Sequence, residues 1–288
     1  MNMGGFFKSR LFFVSLAIVI IASTLPLYAS GYILGLLTVA YYFGVFAMAW
    51  DLLFGFAGEV NFGPTFLIGV GAYTAGILNA QYGWSVYLCI VLGALASVVA
   101  GVVLALPALR VRGPYFGLTT LVAVLILQNF VVVFADLTGG EIGLTIPDVI
   151  TINAGANYWI ALGFMTISAL ILYGLSQSPI GLVLQASGQD PVQAGALGFN
   201  IVKHKLAAFI VSAFFSGLSG ALLVFYFGTA SVGTVVDVAV GVNVIVAGEF
   251  LRPTGELATF IVSTVALLVI LFFPGGFLGA ALSHEARS

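Results

Sequence analysis

The feature that most limits what this chain can fold into is a succession of long apolar runs, spaced by short polar breaks. They cover residues 11–29, 32–53, 65–80, 85–106, 115–135, 158–175 and 206–227, then a shorter run at 238–247 and a last one at 257–273. Most approach the roughly 20 residues a helix needs to cross a 30 Å hydrocarbon layer. Only 6% of the 288 residues are charged and 61% are hydrophobic, against about a quarter charged in soluble domains. A water-soluble globule is excluded. The strand alternation of a membrane barrel is absent, which leaves helices as the spanning structure. The expected fold is an all-α integral membrane protein: one transmembrane domain over residues 1–288, a polytopic bundle of about 8–9 segments with a discontinuity after the second span.

The run at 11–29 follows Lys8 and Arg10. It is long for a signal peptide and no small-x-small site follows it, so it reads as a first span and an uncleaved anchor. Lysine and arginine in short loops mark the cytoplasmic side. With Lys8 and Arg10 inside, the loops holding Arg110/Arg112 and Lys203/Lys205 also fall inside, and the loop 136–157 falls outside. That loop carries three acids and no basic residue. The segment 238–247 is too short to cross untilted, so the side of Arg287 is left open.

Catalytic constellations are missing. No GxxxxGK[ST] occurs, so the chain cannot hold ATP in a P-loop. His204 and His284 are far apart, and no metal-ligand spacing appears. The one cysteine, Cys89, sits inside a span and permits no disulfide framework. Two stripes of small residues, Gly93/Ser97/Gly101 and Ser212/Ser216/Gly220, have the four-residue spacing of helix packing seams. Arg252 is spaced to neutralise Glu249 and Glu256.

The polar residues at membrane depth carry the information. Asp51 and Glu59 flank a break, GFAGEVNFGP at 55–64, whose glycines and Pro64 disrupt a helix. Ionised groups there are costly and normally face a cavity or a partner. Non-helical backbone at that depth is tolerated only in protein or beside water, and broken helices are a common ligand-handling device. Asp51, Glu59 and Asn61 therefore either line a pathway or belong to a cytoplasmic turn in water. Thr119, Thr120, Gln128 and Asn129 on the fifth run either line the same path or bond neighbouring helices. LTGGEIGL at 137–144 reads as a tight external loop.

The cytoplasmic loop 176–205 is short, polar and punctuated. Ser178-Pro179 is an N-cap with proline at the first helical position. A helix over 180–187 with Gly188 as its stop follows. Asp190-Pro191 repeats the start signal, Gln193 is placed to complete a capping box, and Gly198 suits a left-handed C-cap. Helices this short are marginal alone in water. Either they pack on another protein, or they form an ordinary loop of capped turns.

Taken together, several stretches resemble the permease subunits of bacterial branched-chain amino acid ABC importers, the leucine-isoleucine-valine type, and more closely the second, M-like paralogue. Urea and amide permeases are related. AWDLLFGFAGEVNFGPTFLIGVGAYTAG (49–76), RGPYFGLTTL (112–121), LTGGEIGL (137–144), the region 178–222 and FFPGGFLG (272–279) carry the resemblance, which covers about residues 35–280. It implies a multi-pass protein of the prokaryotic cytoplasmic (inner) membrane, with no catalytic residues and no cofactor of its own. ATP-Mg would bind two partner ATP-binding cassette subunits. A paralogous permease subunit and a periplasmic or lipid-anchored substrate-binding protein complete the implied assembly, with no nucleic acid.

The resemblance makes Gln189, Asp190, Pro191, Gln193, Ala194, Leu197 and Gly198 the ATPase-coupling element, with movement passing into the sixth and seventh spans. Departures are visible. The coupling segment keeps only Asp190 as a charge, Pro64 stands where histidine is common, and Asp51 and Glu59 stand where amides are common. The region after Asp237 is shorter than usual. An ion-coupled secondary transporter using Asp51 or Glu59, and a non-transporting scaffold, are the competing functions. The substrate is left open among branched-chain amino acids, urea, short amides and small organic acids.

Overall fold

A computed structural model of the chain describes residues 10–59, 61–109 and 114–237. The expected segments at 238–247 and 257–273, the Arg110/Arg112 loop, and Arg252, His284 and Arg287 lie outside the described residues, as does Lys8. The chain is a multi-pass, all-α membrane protein. In order it forms α1 (Arg10–Thr24) with a 3-10 turn (Leu25–Leu27), α2 (Gly31–Asp51) with a π turn (Leu52–Phe56), and α3 (Pro64–Tyr82). Then come α4 (Val86–Ala108), α5 (Pro114–Val133), a single turn α6 (Ala135–Thr138), β1 (Leu144–Thr145) and α7 (Ala154–Ser176). Two short helices, α8 (Pro179–Gln189) and α9 (Pro191–Ala196), precede α10 (Ile201–Phe227), β2 (Thr229–Ala230) and α11 (Val232–Val235). Among the described residues, five helices are long and apolar enough to cross a membrane: α2 with its π turn, α4, α5, α7 and α10.

The centre of the bundle is α3 packed between α4 and α10, with α2 laid on α10 and α7 on α2. The hydrophobic effect does little to hold helices together in lipid; close backbone approach and interhelical hydrogen bonds do that instead. Both kinds of contact are concentrated here. Gly71 of α3 meets Gly217 of α10 backbone to backbone, and Gly220 sits against the Ile68 carbonyl. A Cβ on Gly93 would lie 2.6 Å from the Gly71 oxygen. Ser97 Oγ donates to Leu67 O at 2.9 Å, and Ser219 Oγ to Tyr42 O at 2.7 Å. The two expected small-residue stripes are packing seams: Gly93 closes on Gly71 of α3, Gly101 on Ala213 of α10 and Gly220 on the Ile68 carbonyl.

The end expected to be external is tied together by polar contacts. Tyr158 Oη donates to Ala22 O at 2.7 Å and lies 3.0 Å from Tyr41 Oη, which joins α1, α2 and α7. Asn79 Nδ2 donates to Trp84 O and to Asp148 Oδ2, each at 2.8 Å. The segment 137–144, read as a tight loop, also reaches a distant part of the chain. Gly139 and Gly143 take positive φ, and β1 pairs antiparallel with β2, Leu144 opposite Ala230. That pairing joins residues more than eighty positions apart, which no local signal announces. Exposed Tyr28, Tyr32, Tyr82, Trp84, Tyr87 and Trp159 ring this end, as aromatic side chains do where membrane meets water.

Candidate functional site

At the opposite end, α2 does not stop at Asp51. It widens into the π turn, where a side chain on Gly55 would overlap the Asp51 carboxylate. π bulges of this kind are frequent at functional sites. Left-handed Gly58 (φ 67°) then ends the helix, and Glu59 N–H reaches back to Leu53 O at 3.1 Å. The chain turns inward. Trp50 Nε1 donates to Asn61 O and Gly63 N–H to Asn61 Oδ1, both at 2.9 Å, and Phe62 N–H donates to Thr120 Oγ1 at 3.1 Å. Gly63 presses on the Thr120 carbonyl so closely that any side chain there would overlap it. Pro64 opens α3 at the next residue. The backbone N–H groups of Glu59, Phe62 and Gly63 and the Asn61 carbonyl thus find their partners within the protein.

Asn61 is buried, not in water. Glu59 is largely shielded and forms an ion pair with Lys205 at the start of α10, at 2.5 Å, with side chains 16% and 12% exposed. Of the two readings left open for these residues, the turn in water does not hold: the segment is wedged among α2, α5, α8 and α10. Asp51 is half-buried at the end of α2.

The remaining polar residues of α5 divide. Thr120 is the buried one and holds the break; Thr119 Oγ1 donates to Tyr115 O at 2.9 Å on its own helix. Gln128 Nε2 donates to Val236 O at 3.2 Å, and exposed Asn129 Nδ2 to Leu125 O at 2.7 Å. Gln128 and Asn129 line an open hollow of about 370 Å³ with Glu141 and Asp237, toward the external end. Asp51, Glu59 and Asn61 gather at one end and Gln128 and Asn129 toward the other.

The helix pair forms as its punctuation predicts, with three corrections. Ser178 Oγ accepts from Gly181 N–H at 3.3 Å, and Asp190 Oδ1 from Val192 and Gln193 N–H at 2.9 and 3.0 Å. The capping box is not completed among the described residues. Asp190 closes α8 as well as opening α9, so its own N–H is already given to Ala186 O at 3.0 Å. Gly188 is not the stop of α8, which runs on to Gln189. It is a contact residue: a Cβ there would lie 2.6 Å from Phe56 O and 3.2 Å from Gly58 N. Finally, α8 has its packing partner in this chain, with Leu184 and Ser187 buried against the π turn, α7 and α10.

What is left uncovered is α9. Val192 and Leu197 are 77% and 75% exposed, and Gln189, Pro191 and Gln193 are exposed beside them. Ala194 is turned inward and buried. Gly198 takes φ 88°, the left-handed turn expected of it. Asn200 Oδ1 then caps α10 by accepting from Lys203 N–H at 3.0 Å. That cap lies six residues ahead of the apolar run, and the asparagine before an Ile-Val pair was its signal.

A model of the family described as branched-chain amino acid transport system / permease component matches residues 32–281. Similar curated proteins include the high-affinity branched-chain amino acid transport system permease protein LivM of Salmonella typhimurium, 27% identical, and of Escherichia coli, 26% identical; each alignment covers 76% of this chain. The probable branched-chain amino acid transport permease protein LivM of Methanocaldococcus jannaschii is 23% identical over 64% of the chain. The chain spans 58% of the length of the first two relatives and 66% of the third. No solved structure matches it.

Proposed function

Because the chain belongs to the branched-chain amino acid transport system permease family, we propose that it is the membrane subunit of an ABC importer. It forms part of the path for branched-chain amino acids or a related small polar solute such as urea or an amide. Separate ATPase subunits drive it, a paralogous permease subunit completes the path, and a periplasmic or lipid-anchored binding protein delivers the solute across the prokaryotic cytoplasmic membrane.

The observation that carries this reading is the split within the helix pair. One helix is anchored on the bundle, while the other presents Val192 and Leu197 to the outside. A six-residue helix has little stability of its own, and exposed apolar side chains grouped on a capped projection suit a protein partner. The coupling element is thus residues 189–198, with Val192 and Leu197 facing the ATPase and Ala194 packed behind them. The test is Leu197→Asp in the assembled transporter. Leucine uptake falls at least tenfold and the ATPase subunits no longer co-purify, while the amount of permease in the membrane is unchanged. Normal uptake in that variant overturns the docking assignment. Uptake that survives ATP depletion but collapses with the ion gradient would instead favour a secondary transporter working through Asp51 or Glu59.

A further inference from the structure

We propose that the break after α2 is the strut through which the projecting helix pair moves the core of the bundle, with Glu59, Lys205 and Gly188 as its positioning residues. This rests on the importer reading above but departs from the simplest route for movement, along the chain into α7 and α10. Four contacts define the strut. Gly188 of α8 lies against the backbone of Phe56, Ala57 and Gly58. The Glu59–Lys205 pair ties the same segment to the first turns of α10. Trp50 holds Asn61, and Thr120 holds Phe62. From Gly63 the backbone enters α3 directly, and α3 is the helix on which α4 and α10 close.

The contacts are of a kind that transmits displacement. Backbone-to-backbone packing at Gly188 has no flexible side chain to absorb a shift, and packed interfaces respond by jumping between arrangements rather than deforming. A shielded ion pair between residues 146 positions apart holds two elements in register. Removing one partner leaves the other charge poorly solvated. The strut therefore works as a rigid part: the helix pair, the break and the start of α3 travel together when the ATPase pulls. The pair is not a latch that opens during the cycle.

The experiment measures leucine uptake per ATP hydrolysed in the assembled transporter. Glu59→Gln is expected to keep ATP hydrolysis within twofold and lower uptake about tenfold. Gly188→Ala, which wedges a methyl group against Phe56 O without changing charge, is expected to do the same. The distinguishing variant carries Glu59→Cys and Lys205→Cys, joined by a short, reducible bifunctional methanethiosulfonate; native Cys89 is buried. Bridging restores at least half of the wild-type ratio, and reduction abolishes it again. If Glu59→Gln and Gly188→Ala keep the normal ratio, or if bridging leaves transport blocked, the strut is wrong. Should Leu197→Asp uncouple transport while Glu59→Gln does not, only the strut fails. If uptake by the unsubstituted assembly ignores the ATPase, both readings fall.

Discussion

A methyl group has no room at Gly220. Its carbon would overlap the Ile68 carbonyl oxygen, a backbone atom in the second turn of α3 that cannot step aside. Gly163 of α7 has nothing within 4 Å of the same position, so the two glycines separate packing from helix propensity. Gly220→Ala should cost about 1–3 kcal/mol through overpacking, whereas Gly163→Ala should stay within about 0.5 kcal/mol. Thermal denaturation of the detergent-solubilised protein reads the contrast, as a clear drop in midpoint for the first and none for the second. An equal effect at both sites would mean that close contact between α3 and α10 is not what holds the bundle. Glu59 has its partner in Lys205, so its shielded position is explained by structure before any pathway is invoked.

At the scale of elements, the helix pair depends on one side chain serving two helices. Asp190 ends α8 with its backbone and starts α9 with its carboxylate. Asp190→Ala removes both bonds to Val192 and Gln193, a loss of about 0.5–2 kcal/mol for a cap. Because α9 has only six residues, that loss should unravel it locally while the bundle stays intact. Hydrogen exchange should show amides 192–197 exchanging several-fold faster or more, with α3 and α10 unchanged. Unaltered exchange across 192–197 would show that packing on α8, rather than the cap, orders α9. Ala194→Asp is a different experiment: the residue is buried, so an acid there disrupts the pair from within and does not report on a partner. Among the described residues, helix positions, both N-caps of the pair and the packing seams were legible in the sequence, because each is written in local periodicity or in a dipeptide such as Ser178-Pro179. The true end of α8, the β1–β2 pairing and the Glu59–Lys205 ion pair were not. Each depends on a partner far away along the chain, and a glycine reads the same whether it stops a helix or admits a neighbour's backbone.

For the whole molecule, the two ends differ in chemistry, and this difference predicts how it sits in the bilayer. One end carries Lys203, Lys205 and the projecting helix pair. The other carries the ring of tyrosine and tryptophan and the acidic loop pinned by β1 and β2. Basic residues favour the cytoplasmic side, and an aromatic ring marks an interface without saying which one. The charges therefore carry the predicted orientation, and the ring bears only on the depth. Ile142 and Ile152 are 96% and 94% exposed at one end, and Val192 and Leu197 are exposed at the other. Replaced singly by cysteine, Ile142 and Ile152 should react with a membrane-impermeant maleimide in intact cells, while Val192 and Leu197, in cells without the ATPase subunits, should react only after permeabilisation. Buried Cys89 should give no background. The opposite pattern would place the helix pair outside, beyond the reach of any cytoplasmic ATPase, and the importer reading would fail with the topology. Labelling of all four positions from outside would break the alternation of spans on which the bundle is built.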